Sequence, residues 1–396
     1  MGERGLRSTG TLEVGQLRGV DPTARRVSSR LRALLVIVVC HGMKATEVGL
    51  QGGRGHLVVW GAVARELAID FGTASTRVYE RGRGLIYDEP TVAAVDTKTR
   101  EVLALGHEAD DLVGRTTRHV VMVRPLRQGA ITDFDMAERM LRAILARCGT
   151  TKVSRPRILL SVPAAATSIE RRALKQAARS AGAHQSHLLE APMAAAIGLG
   201  LPINDPVGSV VVDVGAGTSE TGVVSLGGVV ALKALRLGGQ DLDRDIADLI
   251  RHQCDLVISE HAAESLKVAI GAAGSLEPPL HAEIHGRVVA SGERASALVS
   301  SEEIGHAMAD HLRAMVEGVA ACLADSPPEF AQDALFEGIH LLGGGSKLVG
   351  LAEQLSAGTS VPVHTVEHPE HVVIEGAGRC LDDLGRFSAL FASAER

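Results

Sequence analysis

Two loops of this chain carry residues whose types and spacing suit phosphate binding. Residues 66–78 read ELAIDFGTASTRV, an apolar run that ends at Asp70 and is followed by small and hydroxyl residues. Residues 210–224 read VVVDVGAGTSETGVV, which repeats this design around Asp213. A tight turn after such an aspartate exposes consecutive backbone N–H groups, and these can hold phosphate oxygens without a lysine. Two facing loops of this kind would clamp one polyphosphate.

Polar side chains in both loops could add to this site. Asp70 and Asp213 could hold a hydrated Mg²⁺ ion through water molecules. Hydroxyl donors are available from Thr73, Ser75, Thr76, Thr218 and Ser219. Either loop alone is more often an ordinary β-turn, because turns rich in Gly and Thr are common. A third turn, Gly343-Gly344-Gly345-Ser346, follows another apolar run and makes the combination specific.

The elements that must position these loops alternate between strand and helix patterns. From Arg65 onward, short β-rich runs alternate with helical periodicity, which is typical of an α/β protein. Thr167 and Glu170 form a capping box that opens a helix, and Gly182 ends it. Further strands are predicted at 157–162, 187–189 and 338–345, and further helices at 193–200 and 264–271. The repeated aspartate loops predict a duplicated fold.

The composition bears on partners and location. The 396 residues are 45% hydrophobic, which is enough apolar material for two packed domains. A net charge of -6 gives no basic field and 2% aromatic residues give few stacking platforms, so we expect no nucleic-acid partner. The five cysteines lack zinc-site spacing and are predicted to be reduced cytosolic thiols. The longest apolar run, at 33–40, is far short of the roughly 20 residues of a membrane-spanning helix.

Residues 1–64 precede the first convincing strand and are interpreted as an N-terminal extension. Two interpretations stay open. One is a membrane-tethering segment, and the other is a disordered tail or a start assigned upstream of the true first residue.

From about residue 67 to residue 384, the chain resembles the MreB-type bacterial actins. The phosphate loops match this family as DFGTAST and DVGAGTSE, and an adenosine motif matches as LLGGGSKL. The segments RPLRQGAITDFDMAERML, SIERRALKQAARSAGA and APMAAAIGLGLP are also similar to the family. The resemblance implies binding of ATP with Mg²⁺ and places Glu264 and Lys267 near the ribose and adenine. Their i, i+3 spacing independently puts both on one helix face, where an exposed ion pair is the alternative.

The resemblance implies nucleotide contacts from four short segments. They are Gly72, Thr73, Ala74 and Ser75; Gly215, Ala216, Gly217 and Thr218; Glu264, Ser265, Leu266 and Lys267; and Gly343, Gly344, Gly345 and Ser346. Thr218 is also a candidate catalytic residue. Ser75 replaces the usual asparagine but keeps a donor. Ala216 replaces a usual glycine, which would cost on the order of 1 kcal/mol if the loop needs positive φ there.

One departure from the family concerns catalysis directly. The family has a glutamate before the proline of the Met-Ala-Ala-Ala helix, thought to position the attacking water, and here that position is Ala191. A methyl group cannot accept a hydrogen bond from water, and orienting the nucleophile is one of the few contributions a protein makes to phosphoryl transfer. Glu190 is a second candidate, turned by about 100° if the helix begins there. We therefore expect retained ATP binding with slow or absent hydrolysis.

The fold implied by the resemblance is the duplicated α/β fold shared by actin, sugar kinases and the Hsp70 ATPase, with two domains around a nucleotide cleft. The expected segments are the extension at 1–64, a first domain at 65–205 with a small subdomain at 93–137, a second domain at 206–374 with a small subdomain at 241–304, and a C-terminal segment at 375–396 that returns to the first domain.

The function implied is a cytoplasmic head-to-tail filament that organises cell-wall synthesis and cell shape at the inner face of the membrane. The implied partners are further copies of the chain and membrane-bound cell-wall synthesis or morphogenesis proteins. The family's membrane loop matches residues 151–155, which include one apolar residue, so peripheral membrane contact should be weak. Two alternatives stay open: a nucleotide-bound scaffold that does not polymerise, and a small-molecule kinase of the same fold.

Overall fold

A computed structural model of the chain describes residues 65–113, 119–151 and 155–393. The predicted extension at 1–64 and residues 152–154 of the predicted membrane loop lie outside the described residues. The strands are β1 (Glu66–Phe71), β2 (Ser75–Glu80), β3 (Gly84–Pro90), β4 (Ala93–Asp96), β5 (Val102–Leu105), β6 (Val120–Val123), β7 (Leu126–Arg127), β8 (Ala130–Ile131), β9 (Arg157–Val162), β10 (Gln185–Glu190), β11 (Ser209–Val214), β12 (Ser219–Ser225), β13 (Gly228–Leu235), β14 (Leu256–Val257), β15 (His281–Val288), β16 (Arg294–Ser300), β17 (Ile339–Leu342) and β18 (Val363–Thr365). The helices are α1 (His107–Asp110), α2 (Phe134–Arg147), α3 (Ser168–Ala181), α4 (Ala191–Leu199), α5 (Gly239–Cys254), α6 (Glu260–Ile270), α7 (Ser301–Asp325), α8 (Pro328–Glu337), α9 (Leu351–Thr359), α10 (Val372–Asp382) and α11 (Leu384–Ser393).

Two five-stranded sheets have the same topology. The first has the order β10-β9-β1-β2-β3, and the second has the order β18-β17-β11-β12-β13. In each sheet an antiparallel meander is extended by two parallel strands, β9 and β10 in the first and β17 and β18 in the second. The repeated topology confirms the predicted duplication and the α/β fold class.

Smaller sheets extend each half. The strands β5-β4-β6 form one three-stranded sheet, and β14-β15-β16 form another. They fall within the segments expected to be small subdomains, whose boundaries stay predictions. Among the described residues, no helix is both long enough and apolar enough to cross a membrane.

The central strands have sequences suited to burial on both faces. The strand β9 reads RILLSV and β11 reads SVVVDV, and nearly every residue of each is buried. Continuous apolar runs of this kind are expected where helices cover both faces of a sheet. The ends of these strands are therefore fixed points from which the site loops project.

Local sequence signals account for the helix starts. The Thr167 side chain accepts the Glu170 N–H while the Glu170 carboxylate accepts the Thr167 N–H, and Gly182 ends α3, so the predicted capping box is confirmed. The helix α6 begins at Glu260, earlier than the predicted start at residue 264, which was wrong. The reason is a cap that the prediction overlooked, because Ser259 Oγ accepts the Ala262 N–H.

The helices α4 and α10 cross at two glycines. A Cβ atom on Gly376 would lie 1.8 Å from Ala194 O, and one on Gly198 would lie 2.2 Å from Val372 O. Only glycine allows the two backbones to approach this closely. Because α4 connects β10 of the first sheet to β11 of the second, this crossing fixes a junction between the two halves.

Candidate functional site

A cavity of about 430 Å³ lies where the loops of the two large sheets meet. Its size is in the range of pockets that hold small molecules. The predicted site residues that line it are Asp70, Gly72, Thr73, Ala74, Ser75, Asp213, Gly215, Ala216, Gly217, Thr218, Glu264, Lys267, Gly343, Gly344 and Gly345. The structure therefore brings the four predicted segments together around one volume.

The first loop forms a tight turn between β1 and β2. The Gly72 N–H donates to Ser75 O over 3.1 Å, and a Cβ on Gly72 would lie only 2.8 Å from that oxygen. Thr73 Oγ1 accepts the Gly129 N–H over 3.1 Å. The Thr73 hydroxyl hydrogen therefore stays available to donate into the cavity.

The second loop is held against the start of α5. The Gly215 N–H donates to Thr218 O over 2.9 Å, the Gly239 N–H donates to Gly215 O over 3.0 Å, and the Gln240 N–H donates to Ala216 O over 2.8 Å. Ala216 does not adopt a positive φ. The loop therefore accepts this alanine without the backbone cost considered above.

The two aspartates lie at the floor of the cavity. Asp70 accepts a hydrogen bond of 2.6 Å from the Ser161 hydroxyl. Burial raises the pKa of both carboxyls, and the neighbouring Asp70 and Glu220 help to bring the pKa of Asp213 to about 7. A cation beside two buried carboxyls favours their ionised form, so the residues fit a hydrated Mg²⁺. In the described part of the chain, no group of three or more His, Cys, Asp or Glu residues could hold a metal directly.

The third turn packs directly on the second aspartate. Gly343 has a φ of 82°, and a Cβ there would lie 2.2 Å from Asp213 Oδ1 and 2.5 Å from Val214 O. The Ser346 hydroxyl donates to Gly343 O over 2.7 Å. Ser346 is thus buried inside the turn and does not line the cavity, in contrast to its expected nucleotide contact.

The helix α6 presents Glu264 and Lys267 to the cavity together, as their spacing predicts. Lys267 Nζ lies 2.7 Å from Asp243 Oδ1 and 2.9 Å from Gly239 O. Burial raises the pKa of Asp243 to about 6, and Lys267 opposes this rise. Lys267 is therefore a positioned cation rather than a mobile surface residue.

Four other predicted side chains are engaged elsewhere. The hydroxyls of Ser265 and Ser219 donate to main-chain oxygens 2.8 Å away, and Thr76 Oγ1 lies 2.8 Å from the hydroxyl of another buried threonine. Leu266 is buried in the hydrophobic core. Adjacent residues of a helix or strand project to different faces, so these four side chains lie on other faces than their cavity-lining neighbours.

The residues considered for positioning water lie at the start of α4 and in the second loop. Ala191 lines the cavity as the first residue of α4, and Thr218 lines it from the second loop. The Glu190 carboxylate accepts a hydrogen bond of 2.9 Å from Arg171 and is not among the lining residues. The second candidate for positioning water is therefore held by an arginine outside the cavity.

The cavity is also lined by charged residues that the sequence motifs do not predict. Arg77 and Glu220 are the two that belong to the phosphate hairpins. Arg77 is the seventh residue after Asp70, and Glu220 is the seventh after Asp213. This equal spacing in the repeated loops was the available signal. Glu220 is 4% exposed and accepts the N–H groups of residues 164 and 165 over 3.3 Å each.

Two copies of one sheet topology, joined around a cavity with paired aspartate loops, define an actin-like protein. The family described as MreB/Mbl protein matches residues 64–389. The cell shape-determining protein MreB of Escherichia coli strain K12 is 38% identical over 328 residues, which cover 81% of this chain and 94% of that protein. The chain therefore belongs to the MreB/Mbl family of actin-like, cell shape-determining proteins, which confirms the resemblance inferred from the motifs.

Solved structures agree with this assignment. The crystal structure of MreB 5 of Spiroplasma citri bound to AMPPNP has a TM-score of 0.77 and 30% identity, covering 83% of this chain and 98% of that one. The MamK double helical filament has a TM-score of 0.68 at 21% identity, covering 80% of this chain and 98% of the MamK chain. The second likeness supports the fold alone.

Proposed function

We propose that the cavity binds ATP with Mg²⁺ and that this binding switches head-to-tail assembly of the chain. The observation that carries the proposal is the facing pair of loops after Asp70 and Asp213, which share one cavity with the Gly343 turn. The AMPPNP bound to MreB 5 of Spiroplasma citri supports the same ligand class here.

Each segment has a definite part in this proposal. Backbone N–H groups within residues 73–75 and 216–218 hold the phosphates, because those of Gly72 and Gly215 close the turns, and Thr73 and Thr218 add hydroxyl donors. Asp70 and Asp213 hold Mg²⁺ through water, and this ion when bound would offset the phosphate charge. Glu264 and Lys267 lie at the ribose and adenine end, beside the glycines of the third turn.

We further propose that hydrolysis is slow. The wall at the start of α4 presents the methyl group of Ala191, and the Glu190 carboxylate is paired with Arg171. Neither group can orient a water molecule against the terminal phosphate. ATP would then act mainly through binding rather than through turnover.

Binding would act on assembly by closing the cleft. A nucleotide that contacts loops from both sheets favours the conformation in which the two halves approach. The contact between copies would be heterologous, so it extends into a filament when the rotation does not close. The MamK filament shows that this fold supports such a polymer in that protein.

The place of this polymer in the cell follows from the family. We propose a cytoplasmic protein that works at the inner face of the membrane with membrane-bound cell-wall synthesis or morphogenesis proteins, and has no nucleic-acid partner. Direct membrane contact would be weak and would come from the segment before Glu66. Liposome pelleting of the full chain beside a chain lacking residues 1–64 tests this, because equal pelleting removes any role of the segment.

Nucleotide binding is tested by calorimetric titration of the full chain with AMPPNP, in Mg²⁺ and in EDTA. We expect tighter binding in Mg²⁺, and a loss of that difference in D213N. Wild-type chain that binds no AMPPNP under either condition would overturn the proposed function.

A further inference from the structure

The two phosphate hairpins carry opposite charges at equivalent positions. In the antiparallel pair of β1 and β2, Asp70 lies opposite Arg77. In the pair of β11 and β12, Asp213 lies opposite Glu220. Directly opposite residues project from the same face of a sheet, with Cβ atoms roughly 5 Å apart. The duplicated fold therefore places one guanidinium and one carboxylate beside its two aspartates.

Arg77 is a nearly buried cation at the floor of the cavity. Its side chain is only 12% exposed, and it lines the same cavity as both aspartates. Burial raises the pKa of Asp70 and Asp213, and the charge of Arg77 opposes this rise at both. The guanidinium is thus close enough to act on the groups that surround the proposed phosphates.

The Arg77 guanidinium forms an ion pair with Asp88 along its Nε edge. Arg77 Nε lies 3.0 Å from Asp88 Oδ1, and the other Asp88 oxygen lies 2.8 Å from His371 Nε2. The Nε–H group is not aligned with Asp88 Oδ1 as a hydrogen bond requires. Nε is therefore buried without a hydrogen-bond acceptor. The Arg77 guanidinium donates no hydrogen bond to another of the described residues. The Nη1 and Nη2 donors therefore stay available on a residue that lines the cavity, so this cation is suited to a ligand that supplies anionic oxygens.

We propose that Arg77 binds the phosphate chain of the nucleotide. This inference rests on the proposed function, since it concerns a ligand of the same cavity. Three carboxylates, Asp70, Asp213 and Glu220, line the floor and would repel a polyphosphate. The guanidinium offsets part of that repulsion and presents a planar fork of donors that matches phosphate oxygens. The second half has Glu220 at the equivalent position, so only the first half supplies a cation there.

The test compares ligands that differ in phosphate number. AMPPNP, ADP and adenosine are titrated in Mg²⁺ into the wild-type chain and R77Q. We expect R77Q to weaken the binding of AMPPNP about 10- to 100-fold, which is the usual range for a hydrogen bond to a charged group. The affinity for ADP should fall by a similar or smaller factor, and the affinity for adenosine should not change. Equal losses for all three ligands would mean that Arg77 has only a structural role.

A matched variant separates the ion pair from the ligand contact. D88N removes the partner of Arg77 but keeps the guanidinium, so AMPPNP affinity should change far less than in R77Q. If R77Q does not fold, R77K is the deciding variant. Its ammonium group lacks the planar fork of donors, so the affinity for AMPPNP should fall at least about threefold while the affinity for adenosine stays the same. Wild-type chain that fails to bind AMPPNP overturns the proposed function itself. Wild-type binding with unchanged affinity in R77Q, or in R77K where R77Q does not fold, overturns only the role of Arg77.

Discussion

Lys267 and Asp243 form a largely buried ion pair, with Nζ 2.7 Å from Oδ1 and side chains that are 15% and 8% exposed. The same ammonium group donates to Gly239 O over 2.9 Å, at the start of α5. This pair joins α6, which presents Glu264 to the cavity, to the helix whose first residues bond the second loop. It therefore couples the proposed nucleoside end of the site to the phosphate end.

Removing Lys267 should destabilise the chain in a pH-dependent way. Burial raises the pKa of Asp243 to about 6, so this carboxyl is ionised at pH 8 and mostly protonated at pH 5. K267M leaves a buried anion without its partner at pH 8, and we expect a loss of about 1–3 kcal/mol in the free energy of unfolding. The loss should be smaller at pH 5. Urea unfolding of the nucleotide-free chain measures the loss at both pH values. The control is D243N/K267M, which should recover most of the loss. Equal losses at pH 8 and pH 5 would contradict the account.

Replacing Asp213 should stabilise the nucleotide-free chain. The pKa of Asp213 is raised to about 7 in the folded state, above its ordinary value of 3.8, so the folded chain retains this proton more strongly than the unfolded chain. Its contribution to stability therefore falls as the pH rises from about 4 to about 7. D213N has no charge to bury, and we expect it to be more stable than wild type by at least about 1 kcal/mol at pH 8, with a smaller gain at pH 5. Thermal melts in EDTA measure this difference, and an unchanged or lower Tm at pH 8 would contradict it.

The third turn should tolerate a side chain at one glycine and not at its neighbour. G343A places a Cβ at a φ of 82° and within 2.2 Å of Asp213 Oδ1. We expect a loss of about 1–2 kcal/mol in stability and weaker AMPPNP binding, because the aspartate must move. At Gly344 a Cβ would meet nothing within 4 Å, so G344A is the matched control for stability in the nucleotide-free chain. Similar losses in the melts of the two variants would show that the turn does not constrain Asp213.

Restoring a carboxylate at position 191 should raise ATP hydrolysis. Ala191 is the first residue of α4 and lines the cavity, so a glutamate there can reach water beside the terminal phosphate. We expect A191E to release phosphate about 100-fold faster than wild type, which is at the lower end of what a positioned base contributes. A191Q has the same size without the charge and should give a smaller gain. A wild-type rate that already equals that of A191E would refute the proposal of slow hydrolysis.

Much of this architecture could be predicted because local signals agree with it. Thr167, Glu170 and Gly182 bound α3 as expected, and the apolar run at 157–162 is a strand. The start of α6 was missed because Ser259 lies a full turn before the first residue of the recognised motif. Local signals fail where a cap and a motif are separated in this way.

The sequence predicts less of the site than of the fold, and the physical reason is different. The types of the residues identify loops that can hold phosphate, but which hydroxyls face the cavity depends on packing. Thr73 lines it, whereas the hydroxyl of Thr76 is bonded within the core. The importance of Arg77 and Glu220 depends on cross-strand register, which becomes visible only when both hairpins are placed.

The central claim is that nucleotide binding, rather than hydrolysis, switches assembly. The most direct measurement is high-speed sedimentation of the full chain without nucleotide, with ATP and with AMPPNP, each in Mg²⁺, with released phosphate assayed in the same tubes. We predict that the chain pellets with both nucleotides, stays in the supernatant without them, and releases little phosphate. Pelleting that is the same with and without nucleotide, or no pelleting under any condition, would contradict the account.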